Sequence, residues 1–343
     1  MLRGPTLKQK RNLELQSKIT TTDGTGLFVR LIQKPSAIGN IPLILNDGLG
    51  CDGFAWKHFI DYFQHQHPII HWHYRGHGHS DIPEDINSVS IDHLARDIGT
   101  ILDHFNYPKA VICGHSMGIQ VALQAFKEHP GRFEGLVLLC GSFEYPLRTW
   151  HGAFHRHDRP TFMNRAMKLG FPILHKTISK NKALWQPLWS ILFNTDIPYQ
   201  TAMMFEVNKS RITKEDFSPY FEHLSTMQAH VFMQMLKSYS EHSAKKVLGQ
   251  INKPTLIISG GKDTFSPHWV SLDMHHAIPN SELLFIPDGT HCTPIEHPEL
   301  VHLRVEKFLC PILTQTSNNS CNSITGTSMP EPASRRLKRT ASI

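Results

Sequence analysis

The chain has 343 residues, 40% of them hydrophobic, and a formal net charge of +6 at pH 7. At roughly 150 residues per domain, this is enough for one large core or two modest domains. The charge belongs to the ends, where Arg3, Lys8, Lys10 and Arg11 stand without an acid and four basic residues near the C-terminus face only Glu331. The part between is close to neutral and carries no electrostatic footprint for nucleic acid.

Residues 1–17 read as a basic N-terminal extension. Its first 16 residues, MLRGPTLKQKRNLELQ, lack the continuous apolar core of a signal peptide, and no run elsewhere reaches the roughly 18 apolar residues of a membrane span. The expectation is a soluble, cytoplasmic protein. The six cysteines, Cys51, Cys113, Cys140, Cys292, Cys310 and Cys321, form no C-x-x-C pair and are diluted over a long chain. They read as small hydrophobes in a reducing compartment.

From Lys18 onward, short β-branched runs alternate with helical patterns. GLFVRLIQ (26–33), IPLIL (41–45), PIIHW (68–72), AVIC (110–113), GLVLLC (135–140), PTLIIS (254–259) and ELLFIP (282–287) read as strands, most of them apolar on both faces, as in a mostly parallel sheet covered on both sides. Helices are expected at FAWKHFIDYF, at SIDHLARDIGTILDHFN with Ser90 as N-cap, and at HPELVHLRVEKFL with Pro298 near its start and Pro311 past its end. This alternation predicts a doubly wound α/β sheet, in two parts at 18–142 and 251–313.

Residues 143–250 interrupt it. They show helical patterns and no convincing strand; Ser218 and Pro219 are expected as N-cap and first residue of one helix carrying Phe221, Leu224, Met227, Val231 and Met235 on a single face. The plain reading packs these stripes on the sheet, and the sharper one makes the segment a helical lid over an apolar substrate. Residues 314–343 are rich in Ser, Thr and Asn and read as a disordered basic tail. Its RRLKR cluster reads as solvated, with weak contact to an anionic membrane surface or a partner as the alternative.

The chemistry centres on CGHSMG (113–118), between the run AVI and a helical stretch. A chain leaving a buried strand and entering a helix at once must turn sharply, and G-x-S-x-G lets the backbone close up around a serine projected above the strand edge. A lone serine hydroxyl is a poor nucleophile, so Ser116 needs a base and a group that orients the base. His291 follows ELLFIP in DGTHCTPIEHP, and Asp263 follows PTLIIS in GGKDTFSP. In a parallel sheet these loops emerge on the same edge as Ser116, in the chain order Ser, Asp, His. Glu144, after GLVLLC, is the competing acid.

With NDGLGCDG, HYRGHGHSD, GHSMG, GGKDTFSP and DGTHCTPIEHP in that order, the chain from about Lys18 to Leu313 resembles an α/β-hydrolase fold serine hydrolase, esterase- or lipase-like. The resemblance implies Ser116 as nucleophile, His291 as base and then acid, Asp263 as orienting carboxylate, and 143–250 as a cap inserted after GLVLLC. It also implies oxyanion donors at the backbone of Leu49 and Met117, where Asp47 departs from the usual H-G-x-G and places an acid beside the loop. The expected activity is cleavage of a carboxylic ester with an apolar acyl or alcohol part through an acyl-enzyme. The same residues would serve thioester cleavage, acyl transfer or C–C bond hydrolysis, and the rival of another class is a non-catalytic member that binds a ligand or partner.

No cofactor is implied, since GxxxxGK[ST] does not occur and no GxGxxG leads from a strand into a helix. The cluster HQHPIIHWHYRGHGHS places His71 and His73 on one strand face, yet no Cys or carboxylate set completes zinc spacing, and no metal is assigned. His115, beside the serine, reads as structural.

Overall fold

The computed structural model describes residues 13–149, 162–205 and 207–322; residues 1–12 and 323–343, most of the two basic ends, lie outside the described residues. Eight strands form one sheet: β1 (Leu13–Thr20), β2 (Gly26–Gln33), β3 (Leu43–Asn46), β4 (Ile69–Trp72), β5 (Ala110–His115), β6 (Phe133–Leu139), β7 (Thr255–Gly260) and β8 (Ser281–Ile286). Their order is β1-β2-β4-β3-β5-β6-β7-β8. β2 runs antiparallel to β1 and β4, and every pairing from β4 to β8 is parallel.

The helices are α1 (Lys57–Phe63), α2 (Ile91–His104), α3 (Gly118–Glu128), α4 (Pro146–Thr149), α5 (Phe162–Lys180), α6 (Lys182–Phe193), α7 (Asp196–Phe205), α8 (Lys214–Thr226), α9 (Ala229–Glu241), α10 (Lys245–Leu248), α11 (His268–Ala277), α12 (Thr293–Glu296) and α13 (Pro298–Asn322). The strand period of two sorts the sheet into two cores. Ile44, Ile112, Leu136, Leu138 and Ile257 point to one face, where α2 and α3 supply Leu94, Ile98, Val121 and Ala125. Leu45, Val111, Val137, Leu139 and Ile258 point to the other, against Phe59 and Phe63 of α1 and Val305 and Phe308 of α13. Burial on both faces is why these strands read as continuous apolar runs. Ser90 caps α2 as expected, its hydroxyl accepting the His93 N–H.

All seven expected strands are present, and three expectations change. Residues 13–17, read as part of the extension, belong to β1, an edge strand with Leu15 exposed. The helix expected to begin at Ser218 begins at Lys214 instead, with Thr213 and Asp216 forming a reciprocal capping box. It ends at Thr226, and α9 carries the apolar stripe onward. Pro311 lies inside α13, which runs on to Asn322, so residues 314–322 of the expected tail are helical. In the first turn of a helix Pro costs nothing, but here it forfeits one backbone hydrogen bond that the packing of Phe308, Leu309 and Ile312 offsets.

Among the described residues of 143–250 there are helices and no strand. The two ends of the segment meet at the sheet: Ala244 N–H donates to Phe143 O at 2.9 Å, and Glu144 and Ser243 form an isolated β-bridge. Leu224, Met227, Val231 and Met235 are buried in the same core as α2 and α3.

Candidate active site

Between the end of β5 at His115 and the start of α3 at Gly118, the chain has two residues in which to turn. Ser116 takes the left-handed conformation, φ 56°, which costs a non-glycine residue on the order of 1–3 kcal/mol. The turn is pinned by Ser116 N–H donating to Leu139 O at 3.0 Å. The glycines on either side answer a packing need: a Cβ on Gly114 would stand 2.4 Å from Gly118 O, and one on Gly118 would stand 2.1 Å from Asn46 O. Neither backbone can retreat, one being the start of α3 and the other the end of β3.

The loops after β7 and β8 bring Asp263 and His291 to this turn. His291 Nε2 lies 2.8 Å from Ser116 Oγ, and Nδ1 lies 3.0 Å and 3.1 Å from the two Asp263 oxygens. Asp263 is fully buried and an ionised carboxylate only accepts, so Nδ1 carries the proton and Nε2 presents its lone pair to the serine hydroxyl. Asp263 is held in turn by the N–H groups of Phe265 and Ser266 at 2.9 Å and 2.8 Å and by the Ser266 hydroxyl at 2.7 Å. Glu144 is engaged elsewhere, accepting from Ser243 Oγ at 2.8 Å. Of the two acids in competition, Asp263 is the one against His291.

Leu49 and Met117 flank the serine. A Cβ on Gly48, the residue before Leu49, would lie 3.2 Å from Ser116 Cβ, so the β3 loop runs alongside the nucleophile. Among the described residues neither the Leu49 nor the Met117 N–H donates to a backbone acceptor. Met117 also stands at the N-terminus of α3, where the helix dipole favours negative charge. The acid beside this loop is held by a hydrogen-bonded chain: Arg30 Nε–H donates to His71 Nδ1 at 3.1 Å, which leaves His71 Nε2–H to donate to Asp47 Oδ2 at 2.8 Å. Tyr74 O–H donates to Asp47 O at 2.9 Å, fixing the backbone there as well.

Four other histidines make structural hydrogen bonds. Burial pushes His115 down to about 4, with the neighbouring His291 adding to the effect; neutral, it donates from Nε2 to His291 O at 3.0 Å and so supports the loop that carries the base. His67 bonds Ile41 O, His77 bonds Arg75 O, and His73 Nδ1 accepts the His79 N–H. Among the described residues no group of three His, Cys, Asp or Glu side chains is arranged to hold a metal ion.

Sequence reasoning did not find Tyr239, which α9 carries into contact with the Ser116 hydroxyl. Burial raises its phenol well above the ordinary range and the Asp263 charge adds to this, while the contact with Ser116 works against both. No spacing relation links it to the serine; only closure of the 143–250 segment brings it there. A pocket of about 570 Å³ opens nearby between Phe143, Tyr145, Lys245 and Trp269. None of Ser116, Asp263 and His291 lines it; its link to them is Thr149, whose hydroxyl donates to Phe265 O at 2.9 Å.

A parallel sheet that delivers a serine, a histidine and a buried aspartate to one edge, with helices closed over them, is the architecture of an α/β hydrolase. The chain belongs to the alpha/beta hydrolase fold family, which residues 41–298 match. It is similar to the uncharacterized hydrolase YugF of Bacillus subtilis, 25% identical over 290 residues that cover 84% of this chain and 96% of that protein. It is also similar to epoxide hydrolase 3 of Mus musculus, 25% identical over 323 residues covering 91% and 82%. Among solved structures, a thermophilic esterase from Thermogutta terrifontis shares the fold with TM-score 0.66 at 20% identity, covering 87% of this chain and 99% of that one. The enol-lactonase of Burkholderia xenovorans does so with TM-score 0.67 at 17% identity, covering 86% and 100%. Those names span different bonds, so the bond this chain cleaves has to be argued from its own residues.

Proposed function

We propose that this hydrolase cleaves a carboxylic ester with an apolar acyl or alcohol part through an acyl-enzyme on Ser116. The observation that carries the reading is the continuous hydrogen-bonded run from Ser116 Oγ through His291 to Asp263, with 2.8 Å at the serine. In this mechanism Ser116 Oγ attacks the ester carbonyl while His291 Nε2 takes its proton. Asp263 holds the ring in the required tautomer and stabilises the imidazolium that forms. The oxyanion of the tetrahedral intermediate is met by the N–H groups of Leu49 and Met117, which are preorganised by the β3 loop and by α3. His291 then returns the proton to the leaving alcohol, and a water repeats the sequence to release the acid.

The apolar preference rests on what closes over the serine. Phe54 lies tilted against Phe217 and Tyr220, with ring centroids 5.8 Å and 5.3 Å away, and the Tyr220 hydroxyl lies 3.4 Å from Leu49 O. These rings border the loop that carries the expected oxyanion donor. Labelling with a fluorophosphonate should modify Ser116 alone, and Ser116→Ala should abolish it. A panel of p-nitrophenyl esters of graded acyl length should show turnover that rises with chain length before it falls. Absence of labelling, with no turnover on any ester, thioester or lactone, would instead favour the non-catalytic reading.

A further inference from the structure

A helix that packs one face on a core ordinarily turns a polar face to water. α5 and α6 do not. Their inner faces set Phe171, Ile178, Trp185 and Trp189 against Ala229 and Met233 of α9. Their outer faces carry Leu169, Ile173, Leu184, Leu188 and Ile191, from 51% exposed at Leu188 to 74% at Leu169. Leu184, Leu188 and Ile191 follow each other at helical spacing and form one stripe. Ile197, also exposed, continues this character on α7. Scattered exposed leucines need no explanation, but a run of them on consecutive helices marks an interaction face.

Charge selects what it meets. From Phe162 to Thr195 the sequence holds Arg165, Lys168, Lys176, Lys180 and Lys182 and no Asp or Glu; Lys176, Lys180 and Lys182 are exposed. A second copy docking through this face would set these lysines against themselves in a two-fold contact, and Asp196, the acid at the start of α7, is already paired with Lys214 at 3.4 Å. We propose that the outer face of α5 to α7 docks on an anionic lipid surface. The aliphatic stripe enters the boundary between headgroups and acyl chains, and the lysines meet the anionic headgroups. The contact is peripheral, since among the described residues no helix is long and apolar enough to cross a membrane. It lies close to the site: the Trp189 ring on α6 stands 5.0 Å from that of Phe232, and Phe232 lies against Gly50 in the loop beside Ser116. Docking itself does not depend on the ester reading, and its test does not use catalysis.

The full chain should sediment with vesicles of phosphatidylcholine mixed with phosphatidylserine, bind vesicles of phosphatidylcholine alone more weakly, and be released as salt rises. Leu184→Gln, Leu188→Gln and Ile191→Gln together should weaken binding to the phosphatidylserine vesicles by about tenfold or more while leaving the melting temperature in place. Lys176→Glu, Lys180→Glu and Lys182→Glu together should remove the preference for phosphatidylserine. The glutamine variant keeps both basic termini, so undiminished binding by it would assign lipid contact to the termini and overturn the proposal. Absence of vesicle binding would overturn it as well, as would a concentration-dependent dimer that the glutamine variant abolishes, which would give the face to a second copy.

Discussion

Ser116 and His291 handle a single proton, so on the proposed mechanism losing either should cost about as much as losing both. Asp263→Asn is the sharper variant, because the fold around it survives while the amide favours the wrong tautomer of His291; turnover should fall by about four orders of magnitude. Glu144→Gln, which touches Ser243 and not His291, should be mild, and ester hydrolysis by the two purified variants compares them directly. A second prediction concerns His71. Its removal leaves Asp47 buried with neither oxygen partnered, because Asp47 Oδ1 has no hydrogen bond among the described residues. His71→Ala should therefore cost about 3–5 kcal/mol in urea denaturation, whereas Asp47→Asn, which can still accept from the ring, should cost less. At this scale the sequence yields what sits next to a strand end: Ser116, Asp263 and His291 each follow an apolar run. The partnership of His71 with Asp47 and the approach of Tyr239 to Ser116 depend on how distant segments meet, which no local pattern encodes.

The elements show the same division. β2 to β7 are legible because strands buried on both faces must be apolar throughout, and β8, only partly buried at one edge, is legible because Leu283, Leu284, Phe285 and Ile286 follow one another; β1 is not, because at the other edge its outward positions Glu14, Gln16 and Lys18 are free to be polar and Leu15 is exposed. The break between α8 and α9 is invisible for a different reason. Phe221, Leu224, Met227, Val231 and Met235 keep a helical interval across it, so the stripe reads as one helix although Met227 and Gln228 leave the helical conformation. The start of α8 is decided by polar chemistry: Thr213 Oγ1 accepts the Asp216 N–H at 3.2 Å, and Asp216 accepts the Thr213 N–H at 3.1 Å. Ser218 instead donates to Lys214 O within the helix. Thr213→Ala should lower stability by about 0.5–2 kcal/mol while Ser218→Ala stays close to neutral. Thermal denaturation of the two variants checks this, and the opposite ranking would return the helix start to Ser218.

On the scale of the whole molecule, buried histidines make stability depend on pH in a range where carboxylates do not. Burial pushes His77, His115 and His302 down to about 4, against a usual value of 6.5. Folded, these rings stay neutral at pH 5.5; unfolded, they take up a proton. The unfolded chain thus binds more protons between pH 6.5 and about 4, and stability must fall as pH falls through that window. Each ring contributes about 1.4 kcal/mol per pH unit, so three of them remove about 4 kcal/mol by pH 5.5, a large part of an ordinary total of about 5–15 kcal/mol. A carboxylate held low fails later. Against the burial that raises it, hydrogen bonds from Thr213 and Lys57 hold Asp216 at about 2, and its contribution persists until the pH is far lower. The melting temperature should therefore be level above pH 7 and drop steeply from pH 6.5 to 5, before acid titration of the ion pairs begins. His302→Gln, neutral at every pH, should flatten that slope by one ring's share. A melting temperature unchanged between pH 6.5 and 5 would mean that these rings accept protons inside the fold.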